Sequence, residues 1–196
     1  MSMEKQLILA SASPRRRELL QKMSVPFRVE VSDAEEHVPE GISAEETAEY
    51  LSGLKADAVF QKHLSEAVIV IGSDTVVVLD GIIFGKPADQ EDAFRMLKKL
   101  SGNTHVVYTG VTILSSDGNG STKKQSFTSA TKVRFYELSD EDIRAYIESG
   151  EPMDKAGAYG IQGQGVFFVE KIDGDYNTVV GFPLAEIARR LRENRG

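Results

Sequence analysis

Apolar and polar positions alternate along the chain between a strand-like and a helix-like period. Residues 6–11 (QLILAS) form a short apolar run that predicts a strand, and residues 14–23 predict a helix that begins with arginines. A second strand is predicted over 26–32 (PFRVEVS). Ser43 with Glu46 makes a capping box and opens a long helix through about His63, with Ala48, Leu51, Ala58 and Val59 marking its buried stripe. Residues 67–81 are β-branched and almost continuously apolar, which predicts a strand covered on both faces. Asp80-Gly81 then predicts a hairpin turn into Ile82-Ile83-Phe84.

Ala93, Met96, Leu97 and Leu100 share one stripe of a helix over 90–101 that Gly102 ends. Residues 104–138 predict two strands joined by a glycine-rich turn. Ser139 caps a further helix that ends near Gly150, and 165–172 (GVFFVEKI) predict a strand. Leu184, Ile187, Ala188 and Leu191 define a terminal helix. This alternation predicts the α/β class with a mixed sheet. There is no internal repeat, low-complexity tract or linker, and 196 residues suit one domain, or one compact body with two lobes. Residues 1–196 are therefore read as a single domain.

Composition narrows the function classes. Hydrophobic residues at 41% and charged residues at 27% are ordinary for a globular protein. A net charge of −7 argues against a protein that coats a nucleic-acid polymer, while leaving room for a local basic pocket. The absence of cysteine excludes disulfides, thiolate zinc sites and cysteine nucleophiles. The N-terminus lacks a signal-peptide pattern, and no apolar run approaches the roughly 20 residues of a membrane span. The expected location is the cytoplasm, away from membranes.

The segment LILASASPRRREL (7–19) changes this picture. Ser13 stands at a helix cap position and Pro14 at the first helical position, yet Arg15, Arg16 and Arg17 fill the first turn. The helix dipole already presents partial positive charge there, and acidic side chains are favoured by about 0.3–1 kcal/mol each at exposed sites. Three cations at that end point to an anion as the missing partner. Arg17 lies about 100° further round the helix than Arg16 and is read as surface charge.

Two further residues sit against the pattern. Asp74 lies between Val68–Ile71 and Val76–Val78, where a carboxylate is costly unless it is paired, metal-bound or capping a bulge at Gly72-Ser73. Lys55 falls inside the buried stripe of its helix, either snorkelling to water or held by a partner. Glu35-Glu36 follows the second strand, Lys86 lies in FGKPAD, and Asp154 and Lys155 open the glycine-rich segment DKAGAYGIQGQG. That segment is either a flexible loop or a wall that approaches a ligand closely.

There is no GxxxxGK[ST] loop, no GxGxxG following a strand and no nucleophile elbow, and His37, His63 and His105 lack metal-ligand spacing. The remaining cations (Arg15, Arg16, Lys55, Lys86) and carboxylates (Glu36, Asp74, Asp154) together point to phosphate-ester or phosphoanhydride chemistry.

LASASPRRRELL, EE after the second strand, IGSDTVV, GKP, LSG.TH and EPMDKAGAYGIQG follow one another in the order seen in the Maf family, which this chain resembles from Leu7 to the GFPL at 181–184. These are nucleoside-triphosphate pyrophosphatases related in fold to inosine-triphosphate pyrophosphatases. The resemblance implies a twisted mixed sheet with flanking helices and two lobes around a central cleft. It implies hydrolysis between the α and β phosphorus atoms with Mg²⁺ or Mn²⁺, as house-cleaning of nucleotide pools.

By motif, Asp74 resembles the catalytic general base and Glu36 its companion carboxylate. Both are also implied metal ligands, with Asp154 a third candidate. Ser11, Arg16, Lys55 and Lys86 resemble phosphate-site residues. Arg15, Thr75 and Gln162 occupy the base-selecting positions, in the combination of the branch acting on dTTP and UTP, with modified pyrimidine nucleotides also in range. The sister branch that prefers 7-methyl-GTP typically carries Trp, Gln and Glu there. A homodimer is common for this fold. The family's name comes from an effect on septum formation, so a second reading is a nucleotide-binding regulator of cell division.

Overall fold

The elements follow from where apolar side chains can be covered. In the computed structural model, which describes residues 5–193, the order is β1 (Gln6–Ala10), α1 (Pro14–Gln21), β2 (Phe27–Val29), α2 (Ala44–Phe60), β3 (Ala67–Leu79) and β4 (Ile82–Phe84). It continues with α3 (Gln90–Leu100), β5 (Thr104–Asp117), β6 (Thr122–Phe135), α4 (Asp140–Glu148), β7 (Val169–Asp173), α5 (Tyr176–Val180) and α6 (Leu184–Glu193). The strands make one seven-stranded sheet in the order β2-β1-β3-β5-β6-β7, with β4 on β3. β1 runs parallel to both β2 and β3, while β3–β4 and β6–β7 are antiparallel, so the sheet is mixed as expected.

The chain forms two compact units and passes between them inside β3, β5 and β6 and again after α5. The first holds residues up to Asp74, Thr109–Thr128 and the chain from Gly181; the second holds Thr75–Tyr108 and Ser129–Val180. In the first unit, Ile8, Ala10, Val68 and Val70 of the sheet pack with Ala56, Val59 and Phe60 of α2. Fully burying an aliphatic side chain of this size contributes about 1.5–3 kcal/mol. In the second, Leu97 and Leu100 of α3, Ile143 and Ile147 of α4, and Phe135, Tyr159 and Phe168 form the core.

Helix α2 is fixed on the sheet by two glycines. A Cβ at Gly72 would overlap the Ser52 carbonyl oxygen and stand 2.7 Å from the Ala56 amide nitrogen, and one at Gly110 would overlap the backbone of Ala48. Only a residue without a side chain allows helix backbone to lie so close to β3 and β5. That contact sets the height of Lys55, one residue before Ala56, against Asp74, two residues after Gly72. The helix begins as the sequence predicts. Ser43 Oγ accepts from Glu46 N at 3.2 Å and Ser43 N donates to Glu46 Oε2 at 2.8 Å, which completes the capping box.

The structure departs from the sequence expectations at several ends. β2 covers only Phe27–Val29, because its partner Leu9 is one residue from the end of β1. The strand expected over 165–172 starts at Val169, since Gln164–Phe168 coil into 3-10 turns. α2 stops at Phe60 and continues to His63 as 3-10 helix, and Ala58 is only partly covered. Asp80 and Gly81 both take positive φ, 50° and 77°, giving the predicted hairpin turn. Ser13 occupies the N-cap position of α1 with Pro14 behind it, but its side chain makes no capping bond. No helix among the described residues is long and apolar enough to cross a membrane.

Candidate active site

Parallel pairing of β1 with β3 places Ala10 beside Gly72, so Ser11, just beyond the end of β1, follows level with Ser73 in the middle of β3. The carboxyl end of parallel strands is where α/β sheets receive ligands, because side chains and the next helix N-terminus converge there. α1 starts four residues beyond Ala10, with no acidic residue in its first turn and no side-chain cap. Its first-turn amides therefore present partial positive charge without a carboxylate from their own turn.

Arg16 is held in place. Its Nε donates to the Gly181 carbonyl at 2.9 Å and its Nη1 to Ser11 Oγ at 3.4 Å. Ser11 Oγ also accepts from Ser13 N at 3.2 Å. Burial pulls the Arg16 guanidinium below its ordinary pKa; Asp74 pulls it back up, Arg15 opposes it, and Glu36 supports it. An arginine retains its proton under such pressure, so a desolvated cation faces two carboxylates. Arg15 is partly covered and Arg17 is exposed, as expected for a surface charge.

Lys55 joins the two acids. Its Nζ pairs with Asp74 Oδ1 and lies 3.2 Å from Glu36 Oε1. The side chains of Lys55 and Asp74 are 17% and 13% exposed, so their attraction is weakly screened by water. Both open questions about these residues are thereby answered: Asp74 is paired, and the Lys55 ammonium ends on carboxylates. Of the acidic dipeptide, Glu35 turns to solvent beside His37 at 3.4 Å, and only Glu36 enters the cluster.

Ser11, Arg16, Glu36, Lys55 and Asp74 thus gather in the first unit. Thr75, Lys86, Asp154 and Gln162 belong to the second. There Lys86 and Gln162 are exposed and Thr75 is partly covered. Asp154 is exposed and accepts from Lys155 Nζ at 2.7 Å.

Sequence reasoning missed Ser73 and Gly181. Buried Ser73 donates its Oγ proton to the Gly181 carbonyl at 3.1 Å, the same oxygen that anchors Arg16. The available signal was a hydroxyl beside Asp74 inside a β-branched run, where a buried polar group needs a partner.

Glu36 and Asp74 share one cation in Lys55, which shows that their oxygens converge on a position suited to positive charge. Among the described residues no group of three or more His, Cys, Asp or Glu could hold a metal ion. Two converging carboxylates fit a hard divalent cation that completes its shell with phosphate oxygens and water. The arrangement can bind a polyanion with Arg16, Lys55 and the α1 N-terminus, and offers carboxylates for proton transfer beside it.

The fold and site together describe an α/β protein in which a half-buried arginine lies with two carboxylates that share a lysine. The chain belongs to the Maf family: the model of that family, described as Maf-like protein, matches residues 6–194. A dTTP/UTP pyrophosphatase of Thermotoga petrophila is 54% identical over 187 residues, covering 95% of this chain and 88% of its own. One of Bacillus velezensis is 48% identical, covering 97% of each. The solved structure of the Staphylococcus aureus Ham1 protein shares the fold with a TM-score of 0.53 at 15% identity, over 98% of this chain and 100% of its own.

Proposed function

We propose that this chain is a nucleoside triphosphate pyrophosphatase that hydrolyses dTTP and UTP to the monophosphate and pyrophosphate. The observation that carries the reading is the sharing of Lys55 by Glu36 and Asp74 next to the half-buried Arg16, in a chain 54% identical to a relative of that name.

On this reading Arg16, Ser11 and the α1 amides bind phosphate oxygens, and Lys86 adds a further cation. The triphosphate carries about four negative charges that repel an attacking hydroxide, and these groups offset them. Asp74 takes the proton from the water that attacks the α-phosphorus in line, a contribution of typically 10²–10⁴-fold. Lys55 holds the Asp74 carboxylate in position through their ion pair. Glu36 and Asp74 would hold a Mg²⁺ or Mn²⁺ ion, which supplies charge neutralisation at the phosphates. Thr75 and Gln162 offer hydrogen-bond groups to the pyrimidine edge, and Arg15 supports that choice. The two units work as one Maf-like domain, in the cytoplasm and as a homodimer.

The test is to incubate the purified protein with Mg²⁺ and a panel of canonical and modified nucleoside triphosphates, scoring pyrophosphate and orthophosphate separately. Pyrophosphate from dTTP and UTP, with little from purines, is the expected result. Orthophosphate alone would move the attack to the γ-phosphorus and overturn the reading. Tight binding with no release from any nucleotide would instead favour the regulatory role.

A further inference from the structure

The glycine-rich segment that carries Gln162 is tied down rather than loose. Gly163 N donates to the Gly160 carbonyl at 3.3 Å, closing a turn in which Ile161 is buried and Gln162 faces out. Both ends of that turn are held by one pair of side chains. Tyr146 Oη, from α4, accepts from Gly160 N at 3.1 Å and donates to Glu151 Oε1 at 2.9 Å. Glu151 Oε2 accepts from Gln164 N at 2.9 Å.

The glycines make room for this bracket: a Cβ at Gly163 would overlap the Glu151 carboxylate, and one at Gly165 would stand 3.0 Å from Tyr146 Oη. Lys155 closes the side, with its stem against Gly160 and its Nζ donating to the Glu151 carbonyl at 2.5 Å. Tyr146 is itself buried edge-on to Phe168, ring centroids 4.9 Å apart, so the bracket rests on core.

We propose that Glu151 and Tyr146 are positioning residues for base selection, fixing the Gly160–Gln164 turn from both ends so that Gln162 is presented in one conformation. This rests on the reading of Gln162 as a base-selecting residue. A segment with glycine at 160 and 163 samples many backbone states when released. Affinity for the matching base then falls by the fraction of molecules in the competent state, while the phosphate-binding residues of the other unit keep their chemistry.

Steady-state kinetics with dTTP and dGTP test this in Glu151→Ala, Glu151→Gln, Tyr146→Phe and Gln162→Ala. Glu151→Ala should raise KM for dTTP roughly ten-fold with kcat within about two-fold, and lower the dTTP-over-dGTP preference by a similar factor. Glu151→Gln retains an acceptor and should recover most of the loss. In a Gln162→Ala background, Glu151→Ala should add less than about two-fold, because both act through one side chain. If Glu151→Ala does not fold, Tyr146→Phe, which removes a single hydroxyl, carries the test with the same expected split.

Unchanged KM and preference in the Glu151 and Tyr146 variants, with preference lost in Gln162→Ala, would overturn the positioning role and leave the base reading standing. Preference intact in Gln162→Ala would remove the base reading and the proposal with it. A loss equal for all nucleotides, persisting in the Gln162→Ala background, would mark a general packing role and also overturn it.

Discussion

His105 gives the sharpest quantitative expectation. It is fully buried in the second unit between Phe135 and Tyr159, with ring centroids at 4.9 and 5.4 Å. Its Nε2 lies 2.8 Å from Tyr159 Oη, and its Nδ1 has no hydrogen-bond partner among the described residues. Burial pushes its pKa down from 6.5 to about 4. The folded protein therefore keeps this ring neutral where the unfolded chain protonates it. The resulting stability is fully present above about pH 6.5 and is lost as pH falls toward 4. One pKa unit corresponds to about 1.4 kcal/mol, so a drop from pH 6.5 to 4.5 should cost on the order of 2 kcal/mol through this residue.

The assay is urea unfolding of the protein and of His105→Leu at pH 7, 5.5 and 4.5. The variant loses the Tyr159 contact and starts less stable, but its stability should fall less steeply with acid. Titrating carboxylates contribute alike to both proteins, so the difference isolates His105. Parallel acid losses, or a ring that titrates near 6.5 by NMR, would refute the neutral buried state.

His63 carries the opposite sign: hydrogen bonding to Glu66 raises its pKa against the opposing effect of burial, with Glu30 adding to the rise. Its stabilisation is complete below about pH 6.5 and lost as pH climbs through the raised value, so His63→Gln should destabilise more at pH 6 than at pH 8.5, read by thermal unfolding at both. Gly72→Ala should cost about 1–3 kcal/mol or more, because its methyl meets backbone rather than a movable side chain. The same variant should lower turnover by shifting Lys55 against Asp74; a well-folded, fully active Gly72→Ala protein would mean that the α2–β3 contact does not set the site. Asp74→Asn should cut kcat by at least about 100-fold while nucleotide affinity, measured by calorimetry, changes little. Retention of most of kcat would remove Asp74 from proton transfer.

What could be read from the chain and what could not divide along a physical line. Local signals carried: the Ser43/Glu46 capping box, the Asp80-Gly81 turn and the continuous apolar run of β3 each depend on neighbours in sequence, and each appears where expected. Misfit residues carried too, because a charge placed against its pattern needs a partner whatever the tertiary details. Lys55 on a buried stripe and Asp74 in an apolar strand turned out to be each other's partner. Lost were contacts set by distant chain. Ser73 meets Gly181 across 108 positions and Arg16 meets the same carbonyl across 165, and neither residue type announces such a bond.

The glycine-rich segment shows how the two kinds of information combine. Its composition alone leaves both a flexible loop and a ligand-facing wall open, since glycine serves both. The bracket of Tyr146 and Glu151 favours neither in that form: Gly163 and Gly165 admit the protein's own side chains, and the polar group presented is Gln162. The arginines at the start of α1 follow the same logic. They oppose the helix dipole, yet Arg16 is drawn across to Gly181 and Ser11, where its charge faces Asp74 and Glu36. A cation that weakens its own helix is tolerated because β3 and the loop after β2 bring two carboxylates, Asp74 and Glu36, to face it. Local cost at that point is therefore where ligand binding is most economically sought.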